Sequence, residues 1–259
     1  MTEISSGSFN RLKHVLAAGE PSFGLIATIP SIQAVQILAN AGVDWLIIDM
    51  EHGPIDVSSA HAMIVATAGT STVPFVRLPW SHPWQAKPAL DLGALGIVFP
   101  MICTREQAEG AVRSVRYPPA GDRLWGPFYA PMRWTQSMPQ YVEAANENVL
   151  AIATIEHPDA VRNIDEVMSV PGLDLAFIGP GDLAMSLGIP AQFDHPKFKA
   201  AVAEAEAGIL RSKVPLGGVA RTPDQAKQML DRGYRALVFG FDWMLLHQAA
   251  ARFLEEVRA

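Results

Sequence analysis

The sequence predicts an α/β protein, a single (β/α)8 barrel, on three observations. Eight apolar, β-branched segments recur at fairly even intervals along 259 residues, and most of the gaps between them carry a helical pattern. The segments also read as near-continuous apolar runs. Parallel strands covered on both faces need such runs, because side chains pointing either way are then buried. Eight strand–helix units in this length fit a closed barrel spanning residues 1–259. A doubly wound open sheet would require some of these segments not to be strands.

SFGLIATI (22–29) opens the series. SIQAVQILANAG (31–42) then sets Ala34, Ile37, Leu38 and Ala41 on one helical stripe and ends in a glycine suited to a C-cap. DWLIID (44–49) is the second strand, and SSAHAMIVATAGT (58–70) repeats the helical arrangement. VPFVRLP (73–79) and GIVFPMI (96–102) are the third and fourth strands. In TREQAEGAVRSVRY (104–117), Thr104 and Gln107 stand at the spacing of a capping box. VLAIATIE (149–156), DLAFIG (174–179), PLGGVA (215–220) and RALVFGF (235–241) complete the strands. HPDAVRNIDEVMSV (157–170) and TPDQAKQMLDRG (222–233) each pair an early proline with a first-turn acid, as helix N-termini do.

One interval breaks the rhythm. Residues 118–148 are rich in proline, carry Trp125, Phe128, Tyr129 and Trp134, and show no long helix before Met138. An insertion between strands four and five belongs to the C-terminal rim, and it reads as a lid or a subunit contact.

Composition narrows the partners. The chain is 49% hydrophobic and 18% charged, which excludes extended disorder. A net charge of −6 without a lysine–arginine block argues against nucleic acid and anionic membrane. The single cysteine, Cys103, can make no intrachain disulfide or metal cluster. The first twenty residues lack a signal-peptide core, and no apolar run reaches the roughly 18 residues of a membrane span, so the cytoplasm is the expected location.

Residues at the C-terminal ends of barrel strands converge on one mouth. Here they are Asp49, Glu51 and His52 after strand two, Arg77 at the end of strand three, Glu156 ending strand five, and Asp182 just past strand six. Glu156 and Asp182 form an oxygen-only pair suited to a hard or borderline divalent ion. Equally, each could be an ordinary acid compensating a helix dipole. Arg77 lies among apolar neighbours and must pair with a rim acid or a substrate carboxylate. The turn IGPG (178–181) offers backbone amides for an anion, or simply turn geometry. His52 suits a neutral base, with Asp91 as a candidate partner one turn before strand four. Asp49 reads as an acceptor for strand-end amides. None of the six lysines ends a strand, so Schiff-base chemistry lacks a candidate.

FGLIATIPS, GVDWLIIDMEHGPID, VPFVRLP, LDLGALGIVFPMI, RYPPAGDR and IGPGDLAMSLG together resemble the HpcH/HpaI aldolases, from about residue 20 to residue 246. These are class II pyruvate aldolases of aromatic- and sugar-acid degradation, built on the phosphoenolpyruvate/pyruvate type of barrel. The resemblance implies one divalent metal per subunit (Mg2+, Mn2+ or Co2+) on Glu156 and Asp182, and no organic cofactor. It implies that Arg77 neutralises the pyruvyl enolate and that His52 moves protons with Asp91 through water. Gly179, Pro180 and Gly181 would seat the pyruvate carboxylate. It also implies a homo-oligomer, a hexamer built as a dimer of trimers, with a C-terminal helix at about 242–257 packed across a subunit boundary.

The chain departs from that pattern where RYPPAGDR runs on into Leu124 and Trp125. Trp125, Phe128, Tyr129 and Trp134 are expected to narrow or dry the rim, with Arg123 on the same rim loop. Ile26 stands where the long-diacid aldolases carry a tryptophan, and Val219 and Arg221 are expected to shape the acceptor pocket. The expected reaction is reversible cleavage of a 4-hydroxy-2-oxo acid to pyruvate and an aldehyde, without assigning the seven-carbon diacid. The rivals are an oxaloacetate decarboxylase, a coenzyme A thioester lyase, a sugar-phosphate barrel enzyme and a non-catalytic 2-oxo-acid-binding protein.

Overall fold

All eight apolar segments form strands. The computed structural model describes residues 8–258, so residues 1–7 and 259 of the expected 1–259 span lie outside the described residues. The strands are β1 (Ser22–Ala27), β2 (Trp45–Asp49), β3 (Val73–Arg77), β4 (Gly96–Phe99), β5 (Leu150–Ile155), β6 (Leu175–Ile178), β7 (Leu216–Val219) and β8 (Tyr234–Phe241). Every neighbouring pair is parallel, and β8 pairs with β1, closing the barrel in sequence order. β2 to β6 are buried at every position, which is why their sequences show no alternation.

Two large side chains on β2 and β3 are flanked by glycines on β1 and β4. The rings of Trp45 on β2 and Phe75 on β3 stack with centroids 5.6 Å apart. A Cβ at Gly24 would come within 2.2 Å of the Trp45 ring, and one at Gly96 within 2.3 Å of Phe75. The two glycines on the outer strands thus make room for the two rings between them.

The predicted cap at Thr104 forms, and other helices are capped in the same way. Ser31, Thr104, Ser137 and Thr222 each cap a helix through the side-chain oxygen, and Thr104–Gln107 is a full capping box. The expected helix at 157–170 is instead two, Pro158–Arg162 and Ile164–Met168. Asn163 breaks it: its backbone leaves the helical region, and its amide donates 2.9 Å to the Cys103 carbonyl. The 118–148 interval contains the short helix Ala130–Arg133 and then Met138–Asn148. The C-terminal helix runs Asp242–Arg258. Among the described residues no helix is long and apolar enough to cross a membrane.

Candidate active site

Register brings the first two groups together. Asp49 and Arg77 are direct partners across β2 and β3, each the last residue of its strand. Arg77 donates from Nε to Asp49 Oδ1 at 2.8 Å and from Nη2 to Oδ2 at 2.7 Å, a bidentate pair in which Asp49 is wholly buried. Burial disfavours the Arg77 charge, but the bonds to Asp49 and the charges of Asp49, Glu51 and Glu156 outweigh it and raise the guanidinium pKa. Asp49 Oδ1 also accepts the N–H groups of Glu51 and His52, which bends the chain out of β2. Asp49 is therefore both an acceptor for strand-end amides and the anchor of Arg77.

That bend places Glu51 and His52 over the barrel mouth. Glu51 Oε2 lies 3.2 Å from Arg77 Nη1 and 3.7 Å from His52 Nε2. Burial first, then the charges of Glu156, Asp49 and Asp182, push the Glu51 carboxyl up to about 7 against the pull of Arg77.

Across the mouth, Glu156 is 2% exposed. Its Oε1 accepts from Met101 N and from Thr154 Oγ1, both at 2.7 Å. Met101 takes a left-handed φ of 56°, a costly conformation for a side chain of its size, at the point where its N–H meets Glu156. Burial raises the Glu156 pKa, its two hydrogen bonds pull it back, and the nearby Asp182 raises it again. Gly179 follows β6, and a Cβ there would come within 2.6 Å of Glu156 Oε2. The Gly179 N–H donates to the Ile155 carbonyl at 3.2 Å, so its contribution is space rather than a free donor. Pro180 has no N–H, and the donors remaining at this helix start are the amides of Gly181 and Asp182.

A cavity of about 490 Å3 opens at the C-terminal mouth. Arg77, His52, Glu156, Asp182, Thr154 and the Gly179–Gly181 turn form one side. The other side is mostly apolar: Ile26, Val219, Phe239, Phe241, Met244 and Leu245, edged by Arg221 and Gln248. No lysine lines it. The Arg221 guanidinium lies 3.8 Å over the Phe193 ring and makes no ion pair among the described residues.

Two expected groups stand elsewhere in a single chain. Asp91 binds Arg123 at 3.2 Å, whereas the carboxylate near His52 is Glu51, so the chain does not join Asp91 to His52. Arg123 is buried, with Tyr117 stacked at 4.4 Å and the Tyr141 hydroxyl in reach. Trp125, Phe128 and Tyr129 are exposed, and neither they nor Trp134 line the cavity, contrary to the expectation that these rings narrow its mouth. The reason is where their loop docks. Gly126 lies against Asp91 and Arg133 against Gly93, on the segment that joins β3 to β4, and none of that segment lines the cavity.

Glu156 and Asp182 fit a divalent cation. Asp182 enters the cavity wall without a hydrogen bond or ion pair among the described residues, and Glu156 keeps Oε2 facing the Gly179 turn. The pair is oxygen-only, and the described residues bring no third His, Cys, Asp or Glu to it, which leaves coordination positions for water and substrate.

The sequence did not assign roles to Thr154, Met101, Glu51 or the start of the C-terminal helix. Thr154 was legible, because residues two apart share a strand face and Glu156 was already singled out. The left-handed turn at Met101 and the packing of Met244 and Leu245 depend on tertiary contacts and carry no local signal.

The profile of the family described as HpcH/HpaI aldolase/citrate lyase matches residues 25–249. A 4-hydroxy-2-oxo-heptane-1,7-dioate aldolase of Escherichia coli is 36% identical over 242 residues, covering 93% of this chain and 92% of that one. The crystal structure of a HpcH/HpaI aldolase/citrate lyase family protein from Burkholderia cenocepacia superposes with a TM-score of 0.89 at 35% identity, over 96% of this chain and 100% of that one. That of the citrate synthase SbnG superposes with a TM-score of 0.87 at 28% identity, over 95% of this chain and 97% of its own.

Proposed function

Since the chain belongs to the HpcH/HpaI aldolase/citrate lyase family, we propose that it is a metal-dependent class II pyruvate aldolase, cleaving a 4-hydroxy-2-oxo acid reversibly to pyruvate and an aldehyde. The observation that carries this reading is the convergence of Arg77, His52, Glu156 and Asp182 on one cavity wall with no lysine beside them. An enolate needs an electron sink, and the Schiff-base route needs an amine. Glu156 and Asp182 would hold one Mg2+, Mn2+ or Co2+ ion, which when bound supplies Lewis-acid polarisation of the 2-oxo group.

The side chains do the rest. The amides of Gly181 and Asp182 seat the substrate carboxylate. His52 takes the C4 hydroxyl proton, the C3–C4 bond breaks, and its electron pair passes into the pyruvate enolate. Arg77, oriented beforehand by Asp49, neutralises the developing charge at no reorganisation cost. A proton returned to C3 completes pyruvate, and the aldehyde leaves along the apolar side. Asp91 and Arg123 stand outside this cavity in one chain, so a part for them in proton transfer requires an approach from a neighbouring subunit. The exposed Trp243, Leu246, Phe253, Leu254 and Val257 of the C-terminal helix support such an assembly, a hexamer being the expected form.

The likeness to a citrate synthase supports the enolate half as what the scaffold shares, and it leaves the acceptor open. The deciding experiment is coupled pyruvate release by metal-stripped enzyme. Its substrates are 4-hydroxy-2-oxo acids with short, long, anionic and aromatic tails, each with and without Mg2+, Mn2+ or Co2+. Release that needs the ion and disappears in Glu156→Ala is the expected result; equal release without any ion would overturn the mechanism.

A further inference from the structure

Between Arg77 and His52 stands a carboxylate with no part in the chemistry of the aldol cleavage, that of Glu51. Glu51 is not needed to neutralise Arg77, whose best-aligned donors already meet Asp49. Its Oε2 is shut off from water and makes no hydrogen bond, although Arg77 Nη1 lies 3.2 Å away and His52 Nε2 3.7 Å away. A carboxylate oxygen buried without a donor costs stability, about 1–3 kcal/mol for an ordinary polar group. Beyond Arg77, what lies in front of it is an imidazole ring more than half exposed.

We propose that Glu51 is a positioning residue for His52: it accepts the Nε2–H, so fixing the tautomer whose Nδ1 lone pair faces the substrate C4 hydroxyl, and it stabilises the imidazolium formed when that proton moves. The inference rests on the aldolase reading. The proton balance is closed, since the hydroxyl proton passes to Nδ1, the C3–C4 electron pair passes to the enolate, and the proton leaves again when C3 is protonated. A separation of 3.7 Å without substrate is typical of catalytic hydrogen bonds that tighten in the complex. The charged groups facing Glu51 are Arg77 and Asp49 at the strand ends, His52 beside it, and Glu156 and Asp182 across the cavity. In the metal-free chain, burial and the negative charges among them raise its carboxyl to about 7 against the pull of Arg77.

The test separates two reactions of the same enolate. Cleavage of a 4-hydroxy-2-oxo acid needs a base for the hydroxyl, whereas decarboxylation of oxaloacetate releases carbon dioxide and needs none. Glu51→Gln should lower kcat for cleavage by about ten- to a hundredfold, at least ten times more than it lowers decarboxylation, and should displace the acidic limb of the cleavage pH profile. Glu51→Ala should show the same split, with residual decarboxylation reporting an intact site in both variants. Equal losses in the two reactions would place Glu51 behind Arg77 instead, and no loss would remove it from the mechanism; either outcome overturns the inference. Wild-type enzyme that releases no pyruvate in either reaction would overturn the aldolase reading itself.

Discussion

The two sides of the cavity are built by different rules. On the β2–β3 and β5–β6 side, charged groups are locked by short hydrogen bonds: Asp49 to Arg77 at 2.7 and 2.8 Å, and Glu156 to Met101 and Thr154 at 2.7 Å. On the β1, β7 and β8 side, the wall is Ile26, Val219, Phe239 and Phe241, with Met244 and Leu245 from the C-terminal helix. A preorganised charged wall acts on one fixed transition state, while an apolar wall imposes shape and little more. In the proposed reaction the common half of the substrate would sit on the first side and the variable half on the second.

If that division holds, damage to the first side should be severe and indifferent to the acceptor. Glu156→Ala removes the carboxylate around which Met101 is strained, and pyruvate release should fall about a thousandfold or more for every substrate in the panel. A loss restricted to some aldehydes would break the division. Asp49→Asn leaves the Arg77 charge with Glu51 alone. Since breaking a buried pair costs about 3–5 kcal/mol, a cost of about 3 kcal/mol in urea unfolding is expected, with kcat down about a hundredfold. Gly179→Ala keeps every charge and forces a methyl to within 2.6 Å of Glu156 Oε2. Its expected effect is a drop of about tenfold in kcat and weaker Mn2+ retention by equilibrium dialysis, through displacement of Glu156.

How much of this was legible in the sequence follows the same division. The barrel was, because eight buried strands leave eight apolar runs and caps such as Thr104–Gln107 mark the helices between them. The positions of Arg77 and Glu156 were too, since a charge ending an apolar strand needs a reason to be there, and Asp182 followed from the IGPG turn just past β6. The Asp49–Arg77 pairing was only half legible, since it depends on the register of β2 against β3. The apolar side was scarcely legible: Phe239 and Met244 look like core residues anywhere, and only barrel closure turns them toward the mouth. The rim loop misled for a similar reason, because its aromatic rings announced burial near the site while the docking of Gly126 on Asp91 took them elsewhere.

Substitutions on the second side should be milder and should depend on the acceptor. Arg221 is its one cation, carried on Phe193 and without an ion pair among the described residues. Arg221→Ala should raise KM by roughly three- to tenfold for aldehydes with an anionic tail, the range of about 1 kcal/mol expected for a partly exposed charge contact. Apolar aldehydes and oxaloacetate decarboxylation should stay within about twofold. A uniform change across the panel would mean that the second side also acts on the pyruvate half.

The smallest effect is one of stability, and it again falls on one side only. Glu51 has its carboxyl raised from 4.5 to about 7, foremost by burial. Between those values the folded metal-free protein binds more protons than the unfolded chain, so stability falls as pH rises through that window. The whole shift corresponds to at most about 3 kcal/mol, and the partial exposure of Glu51 and its contact with Arg77 leave less. Glu51→Gln removes this penalty. The variant should melt at or below the wild-type Tm near pH 5 and a few degrees above it near pH 8, at about 2–4 °C per kcal/mol for a chain of this size. Glu156, raised in the same direction, keeps part of the slope in the variant. Phe241→Leu, on the apolar side, should shift Tm equally at both pH values. A pH-dependent shift there, or a parallel offset for Glu51→Gln, would show that the electrostatic strain of the metal-free site is not confined to the charged wall.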